Sequence, residues 1–408
     1  MTASTAAAAA YAFPSDVRSS LSHWWHAPKD AGLVAEEGLL RRGLESVELV
    51  SPEVAEKRAT QGATKKIAVF RDVAMDGLGV KGTDRKRYVL HALEVGKPVK
   101  ERDECTTIVT HGYGNGLGFY FQNLNALTAP TNTRTFFLDW LGMGRSGRPN
   151  FPSIKTGDES QEGIRSRVTQ AENFFVDSLE EFRIKSNITT PFTLVGHSIG
   201  GYLSSAYSIR YPQHVKKLIL ISPVGVPLSP YAPAKGKDSH KTIQEEGNEI
   251  AASLEQQMLP SGSASAEVND LPAAPTPQLA DASRRFATFE DDVKQDLFTY
   301  LYGISTARGS GEYCLAHLLA PGAYGRWPLL TRLDQLDIPI TFIYGDHDWM
   351  DKKGGYDVVK RLKAKPVTPE TERQKKDSKV IINPHSGHWV HLENPEGFNR
   401  IIESELRS

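Results

Sequence analysis

The sequence predicts an α/β fold in which a mostly parallel central sheet is covered by helices on both faces and interrupted by an inserted lid. Short apolar runs bounded by Gly, Pro, Asn or Asp alternate with helical stretches, as buried parallel strands and their crossover helices do. The helical stretches include residues 168–182, which carry an apolar stripe, and 202–211, which end before Pro212. The runs assigned to strands are residues 106–110, 135–138, 192–195, 217–221, 338–344 and 379–382.

We expect four parts along the chain. The segment 227–283 is rich in Pro, Ala, Ser, Asp and Glu, which favours a partly disordered insertion. A helix is expected within it around residues 241–258, and apolar helices follow at 289–303 and 312–319. The predicted parts are an amino-terminal tail with candidate membrane-docking helices at 1–60, a first core half at 61–226, a lid at 227–320 and a second core half at 321–408.

Composition limits the function classes to which the chain can belong. The 408 residues carry 48 Lys and Arg against 49 Asp and Glu, a formal net charge of −1. A nucleic-acid binder needs a clustered basic surplus for phosphate contacts, so this balance argues against one. The two cysteines, Cys105 and Cys314, are too few for a disulfide framework or a cysteine-built zinc site. We predict no metal, no cofactor and no transmembrane helix, and the sequence leaves the oligomeric state open.

The most informative motif is Gly196-His197-Ser198-Ile199-Gly200, which lies between a predicted strand and a predicted helix. A serine on such a sharp turn has strained backbone angles, and a glycine two positions to either side leaves the necessary room. The turn exposes the serine hydroxyl at the carboxyl end of the sheet. It also points the amide of Ile199 toward an oxyanion at the start of the helix. Ser198 is the predicted nucleophile and Ile199 a predicted oxyanion donor.

Partners for this serine follow two later strands. Asp346 and Asp348 come directly after the run at 338–344, and His388 lies in the loop after 379–382. The order serine, acid, histidine is the one that α/β-hydrolases use. We expect His388 to remove the serine proton and to protonate the leaving group, and Asp348 to orient the imidazole.

Neighbouring residues compete for two of these roles. Asp348 is preferred to Asp346 because it lies further toward the loop that bears His388, and Asp346 is then a solvated loop carboxylate. His388 follows a glycine and precedes a predicted helix start. His385 is expected to be a loop residue and His391 a partly buried one.

A glycine-rich loop, His111-Gly112-Tyr113-Gly114-Asn115-Gly116, follows the run at 106–110. Glycines let backbone amides approach a ligand closely, so the amide of Tyr113, with that of Gly114 next, is the predicted second oxyanion donor. A dinucleotide-binding loop would need the spacing G-x-G-x-x-G at the start of a helix, and the glycines here do not match it.

With these motifs in place, the chain resembles the α/β-hydrolases. Within them it is similar to the subfamily of fungal cardiolipin-specific deacylases, plant lysophosphatidic acid acyltransferase/phospholipases and the animal lipase-coactivator protein. The resemblance runs from residue 100 onward apart from the insertion. It is carried by HGYGNGLGFYF at 111–121, DWLGMGRSGRP at 139–149, LVGHSIGG at 194–201, FIYGDHDWMD at 342–351 and GHWVHLENPEGF at 387–398.

The resemblance implies removal of fatty acyl chains from glycerophospholipids, with cardiolipin as a candidate substrate and acyl transfer to a lysophospholipid as a second activity. It implies Ser198 as nucleophile, Asp348 as acid and His388 as base. The proposed acyltransferase motif of the family places an aspartate five residues after the histidine, where this chain has Glu393. A carboxylate that stabilises a helix start is the alternative interpretation of Glu393.

A phospholipid substrate requires contact with a peripheral membrane surface. Trp24 and Trp25 are candidate docking residues because tryptophan prefers the headgroup zone, and a helix packed on the protein's own surface is the alternative. The cardiolipin-active relatives imply a mitochondrial location, with the cytoplasm or lipid-droplet membranes as alternatives. Two other functions stay open, a non-catalytic lipase-regulating scaffold and a small-molecule carboxylesterase of the same fold.

Overall fold

The computed structural model describes residues 30–78, 86–98, 105–130, 133–228, 289–366 and 377–407, with the single residues 368 and 372. Within them the helices are α1 Ala31–Gly43, α2 Pro52–Thr60, α3 Leu124–Leu127, α4 Gln161–Lys185, α5 Ile199–Arg210, α6 Asp291–Ser305, α7 Leu315–Leu318, α8 Lys353–Ala364, α9 Val390–Glu393 and α10 Pro395–Arg407. Short 3-10 helices lie at Asp76–Leu78, Leu117–Asn123, Pro212–His214, Gly311–Cys314, Pro321–Ala323, Leu329–Thr331 and Leu333–Gln335. The strands are β1 Glu48–Val50, β2 Ile67–Ala74, β3 Val89–Gly96, β4 Cys105–Thr110, β5 Thr133–Leu138, β6 Phe192–His197, β7 Val215–Ile221, β8 Leu319–Ala320, β9 Tyr324–Gly325, β10 Ile340–Gly345 and β11 Lys379–Asn383.

One mostly parallel sheet organises the described residues. Nine of their strands pair in the order β1-β2-β3-β5-β4-β6-β7-β10-β11. β3 runs antiparallel to both of its neighbours, and the other pairs are parallel. Every residue of β5, β6 and β10 is buried, as expected for parallel strands with both faces covered. The predicted fold class is confirmed.

Helices cover the two faces of this sheet. Leu194 of β6 belongs to one apolar cluster with Phe175 of α4 and Tyr202 of α5. The next residue, Val195, points to the other face and belongs to a second cluster with Phe398 of α10. Such alternation along a strand buries two separate cores, which is why the strands read as continuous apolar runs in the sequence.

The structure corrects one predicted helix. Residues 312–319 form a 3-10 turn, the short helix α7 and the first residue of β8 instead of one continuous helix. The reason lies in long-range contacts at both ends: the amide of Gly311 donates to the carbonyl of Gly142, and Leu319 pairs with Gly325. The other predicted helix of this region is present, shifted to α6.

The amino-terminal part of the described chain packs on the core. Ala35 and Leu39 of α1 share an apolar cluster with Phe119 and with Leu301 of α6, and β1 pairs with β2. The sheet therefore begins before residue 61. Trp24, Trp25 and the helix predicted at 241–258 lie outside the described residues, so membrane docking through the two tryptophans stays a prediction.

A buried network of charges joins α1 to the sheet. Glu36 of α1 is fully buried, and its Oε2 lies 3.0 Å from His91 Nε2 and 3.4 Å from Arg145 Nε. Asp72 Oδ1 lies 2.7 Å from His91 Nδ1. Burial alone would lower the pKa of His91, but the charge of Glu36, with Asp72 beside it, raises this pKa to about 10. The imidazole is therefore charged at neutral pH and donates to both carboxylates.

Replacement of Glu36 by glutamine is expected to lower the free energy of unfolding by about 3–5 kcal/mol near pH 6, because it removes the buried one of the two carboxylates that pair with the His91 cation. The folded-state pKa of His91 lies above its ordinary value of 6.5. Its contribution is therefore fully present below pH 6.5 and is lost as the pH rises toward 10. Denaturant unfolding at pH 6, 8 and 10 measures the effect.

The matched control is Glu37→Gln, because Glu37 is the next residue of α1 and forms an exposed pair with Arg41. This control should change stability by no more than about 0.5 kcal/mol. A Glu36→Gln effect of equal size at all three pH values would contradict the assignment.

Candidate active site

Ser198 occupies the turn between β6 and α5 with φ 55° and ψ −119°. This is the left-handed, strained backbone that the motif predicts. A β-carbon on Gly196 would lie 2.5 Å from the carbonyl oxygen of Gly200, and one on Gly200 would overlap the carbonyl oxygen of His111. Both flanking glycines are therefore required by the close approach of neighbouring backbone.

The structure brings Ser198, His388 and Asp348 together at the carboxyl edge of the sheet. His388 Nε2 lies 3.0 Å from Ser198 Oγ, and His388 Nδ1 lies 3.3 Å from Asp348 Oδ1. A carboxylate can only accept, so Nδ1–H donates to Asp348 and Nε2 is left to accept the serine proton. All three side chains are buried.

Asp348 is held in its ionised form. Burial alone would raise the pKa of Asp348, but the hydrogen bond and the charge of His388 lower it below its ordinary value. The hydroxyl of Ser222 and the amide of Met350, 3.0 Å from Asp348 Oδ1, act in the same direction. A charge of this kind is what stabilises an imidazolium during acyl transfer.

Asp346, the alternative to Asp348 as the acid, accepts hydrogen bonds from backbone amides and does not contact the imidazole of His388. Its Oδ2 accepts the amide of His385 at 2.9 Å, and its Oδ1 accepts the amide of Ser386 at 3.0 Å. A β-carbon on Gly345 would overlap the carbonyl oxygen of Ser386, so the acid turn and the histidine loop are in direct contact. The structure therefore places Asp348, and not Asp346, against His388.

The other two histidines near the serine lie behind the triad. His391 is fully buried rather than partly buried as predicted, because its ring stacks on Tyr120 with centroids 4.8 Å apart. Burial, with the charge of His388, lowers the pKa of His391 to about 3. His197 Nε2–H donates to the carbonyl of His388 at 3.0 Å, and burial lowers the pKa of His197 well below its ordinary value. Both rings are neutral.

The predicted oxyanion donors flank the serine. A β-carbon on Gly112 would lie 3.0 Å from Ser198 Cβ, so the glycine-rich loop passes close to the serine just before Tyr113 and Gly114. Ile199 is the first residue of α5, and the first amides of a helix have no acceptor within it. The candidate donors therefore come from two separate elements next to Ser198, and their role in binding an oxyanion stays a prediction.

Buried polar groups that sequence reasoning missed hold the glycine-rich loop. His111 Nε2 accepts the amide of Trp140 at 3.1 Å, so its Nδ1–H donates to the carbonyl of Gly112 at 2.7 Å. Asp139 Oδ1 accepts the amide of Leu117 at 2.6 Å. The sequence signal for Asp139 was the segment at 139–149, which begins with this residue and contributed to the family resemblance. That resemblance did not indicate what Asp139 does.

Two further side chains border His388. The ring of Trp349 lies 5.0 Å from the imidazole, centroid to centroid, and was not singled out from the sequence although it follows the acid. Glu393 Oε2 accepts the amide of Gly387 at 2.6 Å, and its Oε1 accepts the amide of Trp389 at 3.3 Å. The structure therefore places this carboxylate on the backbone around His388.

Two cavities have different relations to this site. One of about 170 Å³ borders the glycine-rich loop and is lined in part by Tyr113, Gly114, Asn115, Arg148 and Glu312. Another of about 570 Å³ lies between α2 and the sheet, beside the start of β5, at the edge opposite the serine.

Over the described ranges, His, Cys, Asp and Glu form no group of three or more placed to hold a metal ion. No helix in those ranges has the length and apolar character needed to cross a membrane.

A serine at a strand–turn–helix corner, with an acid and a histidine after the last two strands of a mostly parallel sheet, defines the alpha/beta hydrolase fold. The alpha/beta hydrolase fold family matches residues 108–395, and the chain belongs to it. The resemblance inferred from the motifs is confirmed.

Particular relatives act on lipids, by the names they carry. The chain is similar to the 1-acylglycerol-3-phosphate O-acyltransferase of Arabidopsis thaliana, 30% identical over 305 residues that cover 73% of this chain and 65% of that protein. It therefore spans less than two thirds of the plant protein. It is also similar to the (lyso)-N-acylphosphatidylethanolamine lipase of Mus musculus, 31% identical over 318 residues that cover 76% and 81% of the two chains. Among solved structures, the bromoperoxidase of Bacillus anthracis shares the fold, with a TM-score of 0.50, 15% identity and coverage of 83% and 100%.

Proposed function

We propose that this protein is a serine lipid hydrolase that removes fatty acyl chains from glycerophospholipids through an acyl-enzyme. The observation that carries the proposal is the 3.0 Å contact between Ser198 Oγ and His388 Nε2, with Asp348 on the other imidazole nitrogen. The names of the plant and mouse relatives support a glycerophospholipid as the substrate class. Cardiolipin is the first member of that class to test.

In the proposed reaction, Ser198 Oγ attacks the ester carbonyl while His388 Nε2 takes the serine proton. The amides of Ile199 and Tyr113 stabilise the negative charge that forms on the carbonyl oxygen. Collapse of the tetrahedral intermediate breaks the bond to the glycerol oxygen, which leaves with the proton from His388. Asp348 keeps the imidazole in the productive tautomer and stabilises its charged form throughout.

The acyl-serine then has two acceptors. Water gives a free fatty acid, and the hydroxyl of a lysophospholipid gives a new phospholipid; His388 removes the acceptor's proton in either case. Because both products come from one intermediate, hydrolysis and acyl transfer are proposed as branches of a single site. The plant relative, named for an acyltransferase, supports the second branch.

The experiment incubates the purified protein with vesicles of mixed phospholipids that include cardiolipin and a lysophospholipid, followed by mass spectrometry of the lipids. Protein inactivated beforehand with a fluorophosphonate is the control. We expect free fatty acid and lysolipid in the untreated sample alone, and a fluorophosphonate adduct on the peptide that contains Ser198. Cleavage of short soluble esters alone would indicate a small-molecule carboxylesterase, and neither labelling nor cleavage would indicate a non-catalytic scaffold.

A further inference from the structure

Two carboxylates hold the backbone of the loop that carries His388. From the acid turn, Asp346 accepts the amides of His385 and Ser386 at 2.9 and 3.0 Å. Burial alone would raise the pKa of Asp346, but these two amides, with the side chain of His347, hold the pKa well below its ordinary range. Asp346 is therefore charged at every pH at which a hydrolase of this kind works.

The second carboxylate approaches from the other end of the loop. Glu393 lies at the end of α9, and its two oxygens accept the amides of Gly387 and Trp389, the residues on either side of His388. Four of the five amides between residues 385 and 389 thus donate to a carboxylate. Bonds to a charged acceptor are shorter and about twice as strong as those between neutral groups.

The loop needs such support because it has no regular structure of its own. It follows β11 and precedes α9, and His385 has φ 54°, in the left-handed region that a side chain disfavours. The imidazole of His388 must nevertheless stay within bonding distance of Ser198 and Asp348 together. A misplacement of about 1 Å in such a constellation costs roughly 100-fold in rate.

We propose that Asp346 and Glu393 are positioning residues that form a carboxylate clamp on the histidine loop. The inference rests on the proposed function, because it takes His388 as the base. His388 serves acylation, hydrolysis and acyl transfer alike. Loss of the clamp therefore slows hydrolysis and transfer by the same factor, whereas a direct role of Glu393 in transfer would lower transfer alone.

Kinetics of Glu393→Ala, Glu393→Gln and Asp346→Asn test the clamp. We expect Glu393→Ala to lower kcat for hydrolysis and transfer by about 10- to 100-fold, with KM within about twofold and the ratio of the two products unchanged. Glu393→Gln keeps one acceptor oxygen and should lose less than Glu393→Ala. The control is Glu396→Gln, an exposed carboxylate in the first turn of α10, which should match the wild type.

A second readout does not depend on activity. Hydrogen exchange followed by mass spectrometry should show slow exchange of the peptide spanning residues 384–390 in the wild type and faster exchange in each clamp variant. Exchange elsewhere should stay the same, which separates loss of the clamp from general unfolding.

Three results would overturn the clamp: a Glu393→Ala enzyme with wild-type kcat, a fall in transfer with hydrolysis unchanged, or unchanged exchange of the peptide in all variants. Fluorophosphonate labelling of the wild type separates the two proposals. Wild-type protein that does not label refutes the proposed function, and with it the clamp's purpose. Wild-type protein that labels, with variants that label equally fast, refutes the clamp alone.

Discussion

Replacement of Ser198 by alanine is expected to lower the kcat for acyl-ester hydrolysis by a factor on the order of 10⁶, the size of the loss when a serine protease loses its nucleophile. His388 Nε2 would then face a methyl group, and no acyl-enzyme could form. The substrate contacts are otherwise untouched, so binding of phospholipid vesicles should be unchanged. Release of fatty acid from vesicles, with fluorophosphonate labelling in parallel, measures the effect.

The matched control is Ser205→Ala on the same helix, because the hydroxyl of Ser205 donates only to the carbonyl of Gly201 at 2.8 Å. This variant should label and hydrolyse like the wild type. A Ser198→Ala protein that still labels and hydrolyses would show that another residue is the nucleophile.

Replacement of Asp348 by asparagine is expected to lower kcat by a factor of about 10⁴, the effect of the same change in a serine protease triad. The amide group of asparagine can donate to His388 Nδ1, which would then carry no proton. Nε2 would hold the proton instead and could not accept one from Ser198. The measurement is kcat and KM on a phospholipid ester, with the loss expected in kcat.

Asp351→Asn serves as the control for this change. Asp351 is exposed three residues further along the same turn, where it accepts the amide of Lys353 at 2.9 Å. Its replacement should leave kcat unchanged. If Asp348→Asn kept more than about one hundredth of the wild-type kcat, a different group would have to orient His388.

The constellation of Ser198, Asp348 and His388 was accessible from the sequence because each residue lies in the turn or loop that follows the carboxyl end of a strand. The carboxyl ends of parallel strands meet at one edge of a sheet, so a local pattern implied a long-range meeting. The choice of Asp348 over Asp346 followed from the same geometry. The pattern did not indicate what Asp346 does instead. Its side chain accepts hydrogen bonds from backbone amides, and such bonds cannot be predicted from the spacing of residue types.

The packing of α1 on the core was harder to predict than the presence of amino-terminal helices, for a physical reason. Glu36 is a charged residue of a kind that is usually exposed, and its burial depends on His91 and Arg145, which are distant in sequence. The same reason explains why residues 312–319 do not form one continuous helix. The spacing of their apolar residues favours a helix, but the hydrogen bond from the Gly311 amide to the Gly142 carbonyl is incompatible with one. In both places contacts between distant segments outweigh the local preference for secondary structure.

The mitochondrial location stays a prediction, because nothing in the fold or the site bears on it.

The position of α1 has a practical consequence for work with shortened forms of the protein. The family match begins at residue 108, but a chain cut there would lose α1 together with β1, β2 and β3. The apolar surfaces of Phe119 and Leu301 would be exposed. β5 would become an exposed edge strand of the sheet, which favours aggregation. The homology boundary is therefore not a folding boundary, and trimmed versions should begin ahead of residue 31.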